Sequence, residues 1–342
     1  MRTIEWHNGT IITLDQTKLP NETLVLEIKT LDQMAEAIKN LRVRGAPLLG
    51  AAAAFGLALT AFHSKATSNE ALMLELENAA KTLNSTRPTA VNLFWAADRM
   101  LSRSKDFTGK VEELKAFTVQ EAQRIADEDS EANHAIGKYG AELINNGDVV
   151  LTHCNAGELA TVEYGTALGV IRAAWEKGKK IKVIATETRP LLQVARLTVY
   201  ELKRDGIPVI LITDNIVGYV MHKALVNRVV VGADRIVQDA VINKIGTFTV
   251  AVLAKEHKVP FYVAAPKSTF DLGRKSKDVI IEERNPTEVT QIGGHQITAS
   301  GVGVLNPAFD ITPLKYVSAI ICESGVYRKK DFAKLKTSTS LQ

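Results

Sequence analysis

The strongest constraint on the fold is an alternation of short apolar runs and helical patterns that begins at Asp148. The apolar runs lie at 148–153, 181–185, 208–212, 228–231, 260–264 and 316–321. Helical patterns separate the earlier runs, at 159–177, 190–204, 215–225 and 247–257. Strands that are buried on both faces read as continuous apolar runs, so this order predicts a parallel sheet covered by helices on both sides. The second half is therefore predicted to be a doubly wound α/β domain.

The first half has a different pattern, in which helices dominate. A small β element is expected at its start, with strand-like runs at 3–7, 10–14 and 24–28 and the turn pair Asn8-Gly9 between the first two. Helical patterns follow at 31–41, 47–62, 69–83, 88–103 and 111–145. The change of pattern at Asn146-Gly147 predicts an N-terminal, mainly helical domain at 1–146 and a C-terminal domain at 147–342. Two domains agree with a chain of 342 residues.

Residues 266–315 show little periodicity and contain several proline and glycine residues. We predict long ordered loops here, which in compact domains usually serve function. The tail after Tyr327 is rich in lysine and then in serine and threonine, and is expected to be solvated.

Charge and composition exclude several classes of function. The net charge is +4, from 42 basic and 38 acidic residues, which argues against a nucleic-acid partner. Residues 45–62 carry no charge, but their alanine and glycine content favours a buried, closely packed helix over a membrane span. The two cysteines and the absence of a signal peptide at the N-terminus predict a reducing, cytoplasmic location. The sequence contains neither a Cys-x-x-Cys motif nor a histidine cluster, so it predicts no metal site.

Polar residues follow the predicted strands, at the sheet edge where open α/β proteins bind ligands. They include His153-Cys154-Asn155, Thr186-Glu187-Thr188-Arg189, Thr213-Asp214-Asn215, Gly232-Ala233-Asp234-Arg235 and Cys322-Glu323-Ser324. Neither a Gly-x-Gly-x-x-Gly after the first of these strands nor a Walker A motif is present, so dinucleotide and nucleoside-triphosphate binding lose support. We therefore expect a site for another kind of ligand at this edge.

Two of these residues have a structural and a functional interpretation. Cys154 is either a small buried apolar residue or a reagent, whereas Cys322 continues an apolar strand and fits the structural role. Asp234 is either a helix cap or partner of Arg235, or a buried acid with a raised pKa. Residues alone leave the choice open for Cys154 and favour the structural interpretation for Asp234.

Three further segments place basic residues at predicted helix starts. Arg44-Gly45-Ala46 precedes the uncharged helix, Arg87 precedes Pro88, and Asn243-Lys244 precedes a helix at 247. A helix N-terminus with a flanking glycine and an arginine suits a phosphate group. Each segment taken alone is more often a helix cap with a solvated charge.

Eight motifs in order give the chain a specific resemblance. They are RGAPLLGAAAAFGLAL, TRPTAVNLFWA, LTHCNAGELAT, ETRPLLQVARLT, TDN, GADRI, NKIGT and PFYVAAP. Together they resemble the 5-methylthioribose-1-phosphate isomerase family. Its wider family also holds ribose-1,5-bisphosphate isomerases and regulatory subunits of the translation initiation factor 2 exchange factor. The resemblance spans residues 1–327.

The resemblance implies a helical N-terminal domain, a Rossmann-like C-terminal domain and a homodimer. It implies that Cys154 and Asp234 are the catalytic pair of an aldose–ketose isomerase of methionine salvage. The implied substrate-binding residues are Arg44, Gly45, Ala46, Arg87, Gln193, Asn243 and Lys244. It implies no metal or organic cofactor, and a sugar phosphate as the small-molecule partner.

Four possibilities remain at this stage. The sugar is either 5-methylthioribose 1-phosphate, 5-deoxyribose 1-phosphate or ribose 1,5-bisphosphate, and a non-enzymatic regulatory subunit is the fourth possibility. Residues 236–242 depart from the isomerase pattern, because they lack its Gly-Asp pair and are one residue shorter. This departure affects the placement of Asn243 and Lys244 but not of Cys154 or Asp234.

Overall fold

The computed structural model describes residues 2–332. The chain begins with an antiparallel sheet of β1 (Ile4–His7), β2 (Thr10–Leu14) and β3 (Val25–Ile28). Asn8 and Gly9 both have positive φ, which is the backbone geometry of a tight hairpin turn. The predicted β element is thus present in the structure.

Five helices complete the first half. They are α1 (Leu31–Lys39), α2 (Ala46–His63), α3 (Asn69–Thr86), α4 (Val91–Lys105) and α5 (Val111–Ala141). The uncharged helix α2 packs against α3, α4 and α5, so its small residues allow close helix–helix contact. Among residues 2–332 it is the one helix long and apolar enough to cross a membrane, and 72% of it is buried inside the protein. We interpret it as the central core helix of this half.

The second half is built on a seven-stranded sheet. Strands of this half are β4 (Val149–Thr152), β5 (Lys182–Thr186), β6 (Val209–Ile212), β7 (Arg228–Val231), β8 (Arg235–Ile236), β9 (Ala240–Lys244), β10 (Phe261–Ala264), β11 (Gln291–Ile292), β12 (His295–Gln296), β13 (Phe309–Pro313), β14 (Ala319–Cys322) and β15 (Gly325–Arg328). Its helices are α6 (Ala167–Glu176), α7 (Val199–Arg204), α8 (Val217–His222), α9 (Thr247–Glu256) and α10 (Thr287–Thr290). The strand order is β15-β14-β10-β7-β4-β5-β6, and all neighbours are parallel except β14 and β15. The predicted α/β class with a parallel sheet is confirmed.

Both faces of this sheet are covered, as the continuous apolar runs predict. Val150 and Val183 belong to the core on one face, and their neighbours Leu151 and Ile184 belong to the core on the other face. From β4 the chain moves outward through β5 and β6, and then returns to β7 on the opposite side of β4. The reversal makes the gap between β4 and β7 the topological switch point, where ligands bind in open sheets.

Several predicted boundaries were wrong. The helix expected from 159 begins at Ala167, because Tyr164 and Gly165 have positive φ and interrupt the helical backbone. The helix expected at 190–204 starts with a π-helical turn, Val194–Thr198, before α7. The last parallel strand is 319–322 rather than 316–321, and the antiparallel edge strand β15 follows it.

Two further expectations have a mixed outcome. Residues 266–315 are mostly loops, but they also contain the short elements α10, β11 and β12 and an unpredicted strand, β13, that pairs with β9. Asn243 and Lys244 lie on β9 instead of at a helix start, although α9 does begin at Thr247. The domain boundary at 146/147 stays a prediction. Most of the tail expected to be solvated, 333–342, lies outside the described residues.

Candidate functional site

Cys154 and Asp234 meet at the switch point. Cys154 follows β4 and Asp234 follows β7, and these two strands are parallel neighbours. Both side chains line one cavity of about 360 Å³. The sheet therefore brings the predicted catalytic pair together from positions far apart in sequence.

Cys154 is held in an unusual backbone conformation, with φ 64°. Its amide donates to Thr188 Oγ1 (3.1 Å), which also lies near Thr186 Oγ1 (3.1 Å). Thr186 Oγ1 is 2.8 Å from Nδ1 of the buried His153. Burial raises the pKa of the Cys154 thiol, whereas the positive charges of Lys244 and Arg44 lower it. Burial thus favours the neutral thiol over the thiolate.

Asp234 lies between β7 and a short hairpin formed by β8 and β9. Its amide donates to Ile242 O at 2.9 Å, so the hairpin fixes the backbone of the aspartate. The turn is closed by Val237 N and Ala240 O, which explains how the stretch 236–242 is accommodated. Burial raises the pKa of the Asp234 carboxyl, and the nearby cations Lys244, Arg87 and Arg44 oppose this shift. A raised pKa suits a general acid.

The cavity collects most of the predicted substrate-binding residues. Its lining includes Thr17, Asn40, Leu41, Arg44, Gly45, Arg87, Cys154, Leu191, Gln193, Arg196, Asp234, Lys244, Arg284 and Phe309. The other two predicted residues, Ala46 and Asn243, line small spaces of about 40 and 30 Å³ that share Gly45 and Asp234 with the main cavity. Asn243 itself is buried and donates to Thr247 Oγ1 (3.1 Å). All nine predicted site residues therefore lie in one region.

The N-terminus of α2 forms one wall. Gly45 is the residue before this helix and has φ 109°, a conformation that favours glycine. A Cβ at this position would lie 2.4 Å from Ala160 Cα, so the loop after β4 packs directly on the Gly45 backbone. Arg44 donates from both terminal nitrogens to Asn155. This wall thus combines a guanidinium and a helix N-terminus, as phosphate sites do.

Arg87 and Arg284 form a second cationic group. Arg87 Nη2 lies 3.6 Å from Glu282 Oε2, and Arg284 Nη1 lies 3.3 Å from Glu282 Oε1. Burial lowers the pKa of Arg87. Within the described residues, its buried Nε has no hydrogen-bond partner. Arg87 therefore keeps a donor that a bound anion can use.

Lys244 and Gln193 add polar atoms to the same cavity. Lys244 is buried, and burial lowers the pKa of its ammonium group, although Cys154 and Asp234 oppose this shift. In the part of the chain that the structure describes, no group hydrogen-bonds to the buried Gln193 Oε1. An unsatisfied buried acceptor is costly, so it favours a ligand that donates a hydrogen bond there.

An apolar lobe adjoins the cationic part. It is lined by Leu49, Ala90, Ile242, Val279, Ile280, Ile281 and Phe309, and it opens beside Asp234 and Arg87. Sequence reasoning missed Arg284 and Phe309 as site residues, although it marked 266–315 as functional loops. Nothing in the local pattern of those loops indicates which residues reach back to the sheet.

A larger void of about 970 Å³ lies elsewhere, between α4, α5 and the loops after β10 and β14. Ion pairs such as Arg99–Glu128 occupy its wall, and none of the predicted site residues lines it. Among residues 2–332, no group of three or more His, Cys, Asp or Glu side chains is arranged to hold a metal ion. The candidate site is therefore the cavity at the switch point.

The fold and site define an α/β protein with a cavity lined by cationic side chains at the switch point of a parallel sheet. The chain belongs to the initiation factor 2 subunit family, whose model matches residues 42–329.

Within this family the chain is most usefully compared with isomerases. The methylthioribose-1-phosphate isomerase of Thermosipho africanus is 55% identical over 326 residues, which are 95% of this chain and 94% of that protein. The methylthioribose-1-phosphate isomerase of Carboxydothermus hydrogenoformans is 52% identical over 341 residues, covering 98% and 99%.

Two solved structures are also similar over nearly the full length. The 5-methylthioribose 1-phosphate isomerase of Pyrococcus horikoshii has a TM-score of 0.91 and 47% identity, covering 100% of this chain and 96% of that chain. A protein of Archaeoglobus fulgidus described as translation initiation factor eIF-2B, subunit delta, has a TM-score of 0.88 and 53% identity, covering 98% and 99%. The names of these relatives span both an enzyme and a translation factor.

Proposed function

We propose that this protein is an aldose–ketose isomerase that converts 5-methylthioribose 1-phosphate to 5-methylthioribulose 1-phosphate, a reaction of methionine salvage. The observation that carries the proposal is the placement of Cys154 and Asp234 in one cavity at the switch point. Full-length relatives that are 52–55% identical carry the name of this isomerase, which supports the same assignment. A regulatory subunit would have no need for an acid and a thiol that face one ligand space.

Cationic side chains account for the phosphate. Arg44 and Arg87 offer planar donor groups, and Lys244 adds a compact charge to the same cavity. Guanidinium groups bind phosphate with two parallel hydrogen bonds, so the arginines would hold the C1 phosphate in a defined orientation. We assign to Gly45 and Ala46 a backbone contact with the C1 phosphate.

The apolar lobe selects among the candidate sugars. A methylthio or methyl group at C5 needs apolar surroundings, which the side chains of Leu49, Val279 and Ile281 supply. Arg235 also borders this space but is paired with Asp271, and Arg87 is assigned to the C1 phosphate, so a 5-phosphate would be desolvated there at a cost. This lining favours 5-methylthioribose 1-phosphate and 5-deoxyribose 1-phosphate over ribose 1,5-bisphosphate.

Asp234 is assigned the first chemical step. The phosphate ester on C1 blocks opening of the ring to a free aldehyde, so the ring oxygen must gain a proton as the ring opens. Burial keeps the Asp234 carboxyl protonated to higher pH than an exposed aspartate. It therefore donates this proton as a general acid.

Cys154 is assigned the transfer of hydrogen from C2 to C1. It either carries a proton through an enolate or stabilises the transition state of a hydride shift, and its neutral thiol is compatible with the second route without prior ionisation. Solvent deuterium in C1 of the product would favour the enolate route. These steps need no metal or organic cofactor, and displacement of water from the cavity by the substrate would strengthen the electrostatic interactions within it.

We propose a homodimer in the cytoplasm as the working form. Exposed apolar side chains on neighbouring elements support a subunit interface: Ile210 on β6, Tyr219 on α8, and Phe248 and Val252 on α9. A contiguous apolar surface formed by these side chains would be uncommon on a monomer. Sedimentation equilibrium of the wild type and of Tyr219→Glu tests this point, with a dimer and a monomer as the expected results.

The function is tested with purified protein and three substrates: 5-methylthioribose 1-phosphate, 5-deoxyribose 1-phosphate and ribose 1,5-bisphosphate. We expect turnover of the first, weaker turnover of the second and none of the third. Arg87→Ala should mainly raise KM. Absence of turnover with all three, together with co-purification of translation initiation factor 2, would instead establish the regulatory-subunit alternative.

A further inference from the structure

One edge of the Arg44 guanidinium is hydrogen-bonded to a single residue, Asn155. Its Nη1 donates to the side-chain oxygen of Asn155, and its Nη2 donates to the backbone oxygen of the same residue at 3.0 Å. A guanidinium has five N–H donors, so this two-point contact leaves the remaining ones for a ligand in the cavity. The direction in which Arg44 faces the ligand depends on where the amide oxygen of Asn155 points.

That direction is set by a buried carboxylate. Asn155 Nδ2 donates to Glu201 Oε1 at 2.7 Å and to Thr198 Oγ1 at 3.2 Å. An ionised carboxylate accepts hydrogen bonds and donates none, so the amide nitrogen must face Glu201. A reversed amide would place oxygen against oxygen on one side and NH₂ against the guanidinium on the other. The amide oxygen is therefore held toward Arg44.

Glu201 is fully buried, and its second carboxylate oxygen is held by further hydrogen bonds. Its Oε2 accepts from the amide of Glu158 at 2.7 Å and from Arg172 Nη2 at 2.9 Å. Arg172 also donates through Nε to Asp205 Oδ2 at 2.5 Å. A Cβ on Gly157 would lie 2.3 Å from Glu201 Oε2, so the glycine allows this close approach. The carboxylate cannot turn without losing these partners.

We propose that Glu201 and Asn155 are positioning residues for sugar-phosphate binding. Glu201 fixes the amide of Asn155, and Asn155 fixes the guanidinium of Arg44 toward the phosphate. The inference rests on the proposed function for the identity of the ligand. Glu201 does not line the cavity, so its effect on binding passes through Arg44.

Glu201→Gln tests the chain of contacts with a nearly isosteric change. Two donors, from Glu158 and Arg172, face Oε2, so the oxygen of the new amide stays there and its NH₂ replaces Oε1. This NH₂ meets the NH₂ of Asn155, which must turn and present a donor to Arg44. We expect KM for 5-methylthioribose 1-phosphate to rise about tenfold, with kcat within about twofold of wild type.

Asp205→Asn is the matched control, because it removes a carboxylate from the same Arg172 and makes no contact with Asn155. It should lower the melting temperature and leave KM unchanged. Asn155→Ala removes the side-chain acceptor directly and should raise KM by a similar factor, which keeps the test available if Glu201→Gln does not fold. In an Arg44→Ala background, Glu201→Gln should cause no further rise.

An unchanged KM in Glu201→Gln and Asn155→Ala would overturn the inference while leaving the proposed function intact. An equal rise in Asp205→Asn, or an additive rise in the Arg44→Ala background, would also overturn it. If the wild type turns over no sugar phosphate, the proposed function fails separately. Calorimetric titration with inorganic phosphate then decides the inference: tighter binding by wild type than by Glu201→Gln supports it, and equal affinity refutes it.

Discussion

Lys244 and Phe309 lie opposite each other in the antiparallel pair β9–β13, with Lys244 Nζ 4.9 Å from the centroid of the Phe309 ring. The register of two strands, rather than a loop, thus fixes the ammonium group at the edge of the cavity. Burial lowers the pKa of Lys244, while its charge lowers the pKa of both Asp234 and Cys154. Three titratable groups of the site are therefore coupled.

Lys244→Met should move the pH profile in a direction that this coupling fixes. A general acid works while it is protonated, so kcat/KM falls as pH rises through the pKa of Asp234. Removing the cation raises that pKa, and the falling limb moves to higher pH. KM should also rise about tenfold through loss of a charged contact. The control is Lys255→Met. Lys255 is an exposed lysine on α9 whose ammonium group lies over the ring of Tyr316, and its replacement should leave the pH profile unchanged.

Asp234→Asn removes the proposed acid while keeping the shape of the side chain. We expect kcat to fall about 10³-fold, within the usual range for loss of general acid catalysis, and KM to change little. Asp239→Asn lies on the same hairpin, where Asp239 binds Ser276, and should retain wild-type kinetics. Steady-state kinetics measure kcat for both variants. Similar kcat values for Asp234→Asn and Asp239→Asn would contradict the assignment of Asp234 as the general acid.

Cys154→Ser should abolish turnover to a similar extent, because a hydroxyl transfers hydrogen poorly where a thiol is needed. Cys322 provides an internal comparison. It is also buried, but its Sγ lies 3.1 Å from Ser324 Oγ at the end of β14, outside the cavity. Cys322→Ser should keep at least half of the wild-type kcat. Loss of activity in both variants together with a lowered melting temperature would indicate a packing role instead.

Much of this site follows from the sequence because its two central residues depend on local signals. Apolar runs mark β4 and β7, and parallel strands place their carboxyl ends at one edge, which brings Cys154 and Asp234 together. Arg44 and Arg87 were marked by their positions at predicted helix starts, and the resemblance then implied that they bind substrate. Fold class and candidate pair were thus predictable before the coordinates.

The remaining features depend on contacts between distant segments. Phe309 reaches the site because β13 pairs with β9, and no periodicity within 266–315 indicates that partner. Arg284 is placed by ion pairs with Glu282 and Glu288, which are equally invisible in the pattern. The late start of α6 follows from positive φ at Tyr164 and Gly165, whose cause is tertiary packing. Non-local pairing, not propensity, decided these elements.

Asp129 offers a prediction about stability. Burial raises the pKa of its carboxyl to about 7, although the Val162 amide and Asn133 donate hydrogen bonds to it. The folded state therefore holds the proton more tightly than the unfolded chain, in which the pKa of an aspartate is about 3.9. This contribution to stability is fully present below about pH 4 and is lost as pH rises through about 7.

Asp129→Asn cannot ionise, so its stability should lack this component. Relative to wild type, its melting temperature should increase between pH 4 and pH 8, by an amount on the order of a few degrees. Asp127→Asn, at an exposed position of the same helix that pairs with Arg2, should follow the wild-type profile. Parallel curves for wild type and Asp129→Asn across this range would show that Asp129 is ionised in the folded state throughout.

Gly45→Ala tests how the helical half is joined to the sheet at the site. The new Cβ would lie 2.4 Å from Ala160 Cα and 2.6 Å from Ala160 O, on a residue whose φ is 109°. Backbone atoms cannot move aside as a flexible side chain can, so we expect a loss of about 3 kcal/mol in the free energy of unfolding.

Gly147→Ala is the control that separates the effect of the contact with Ala160 from the effect of positive φ. Gly147 also has positive φ, 86°, but a Cβ there meets nothing within 4 Å. It should cost about 1 kcal/mol, the strain of a left-handed alanine alone. Urea denaturation measures both free energies. Because Gly45 directly follows Arg44 in the chain, Gly45→Ala should also raise KM, whereas Gly147→Ala should not. Equal losses of stability in the two variants would mean that the Gly45–Ala160 contact relaxes without displacing the loop that carries Cys154.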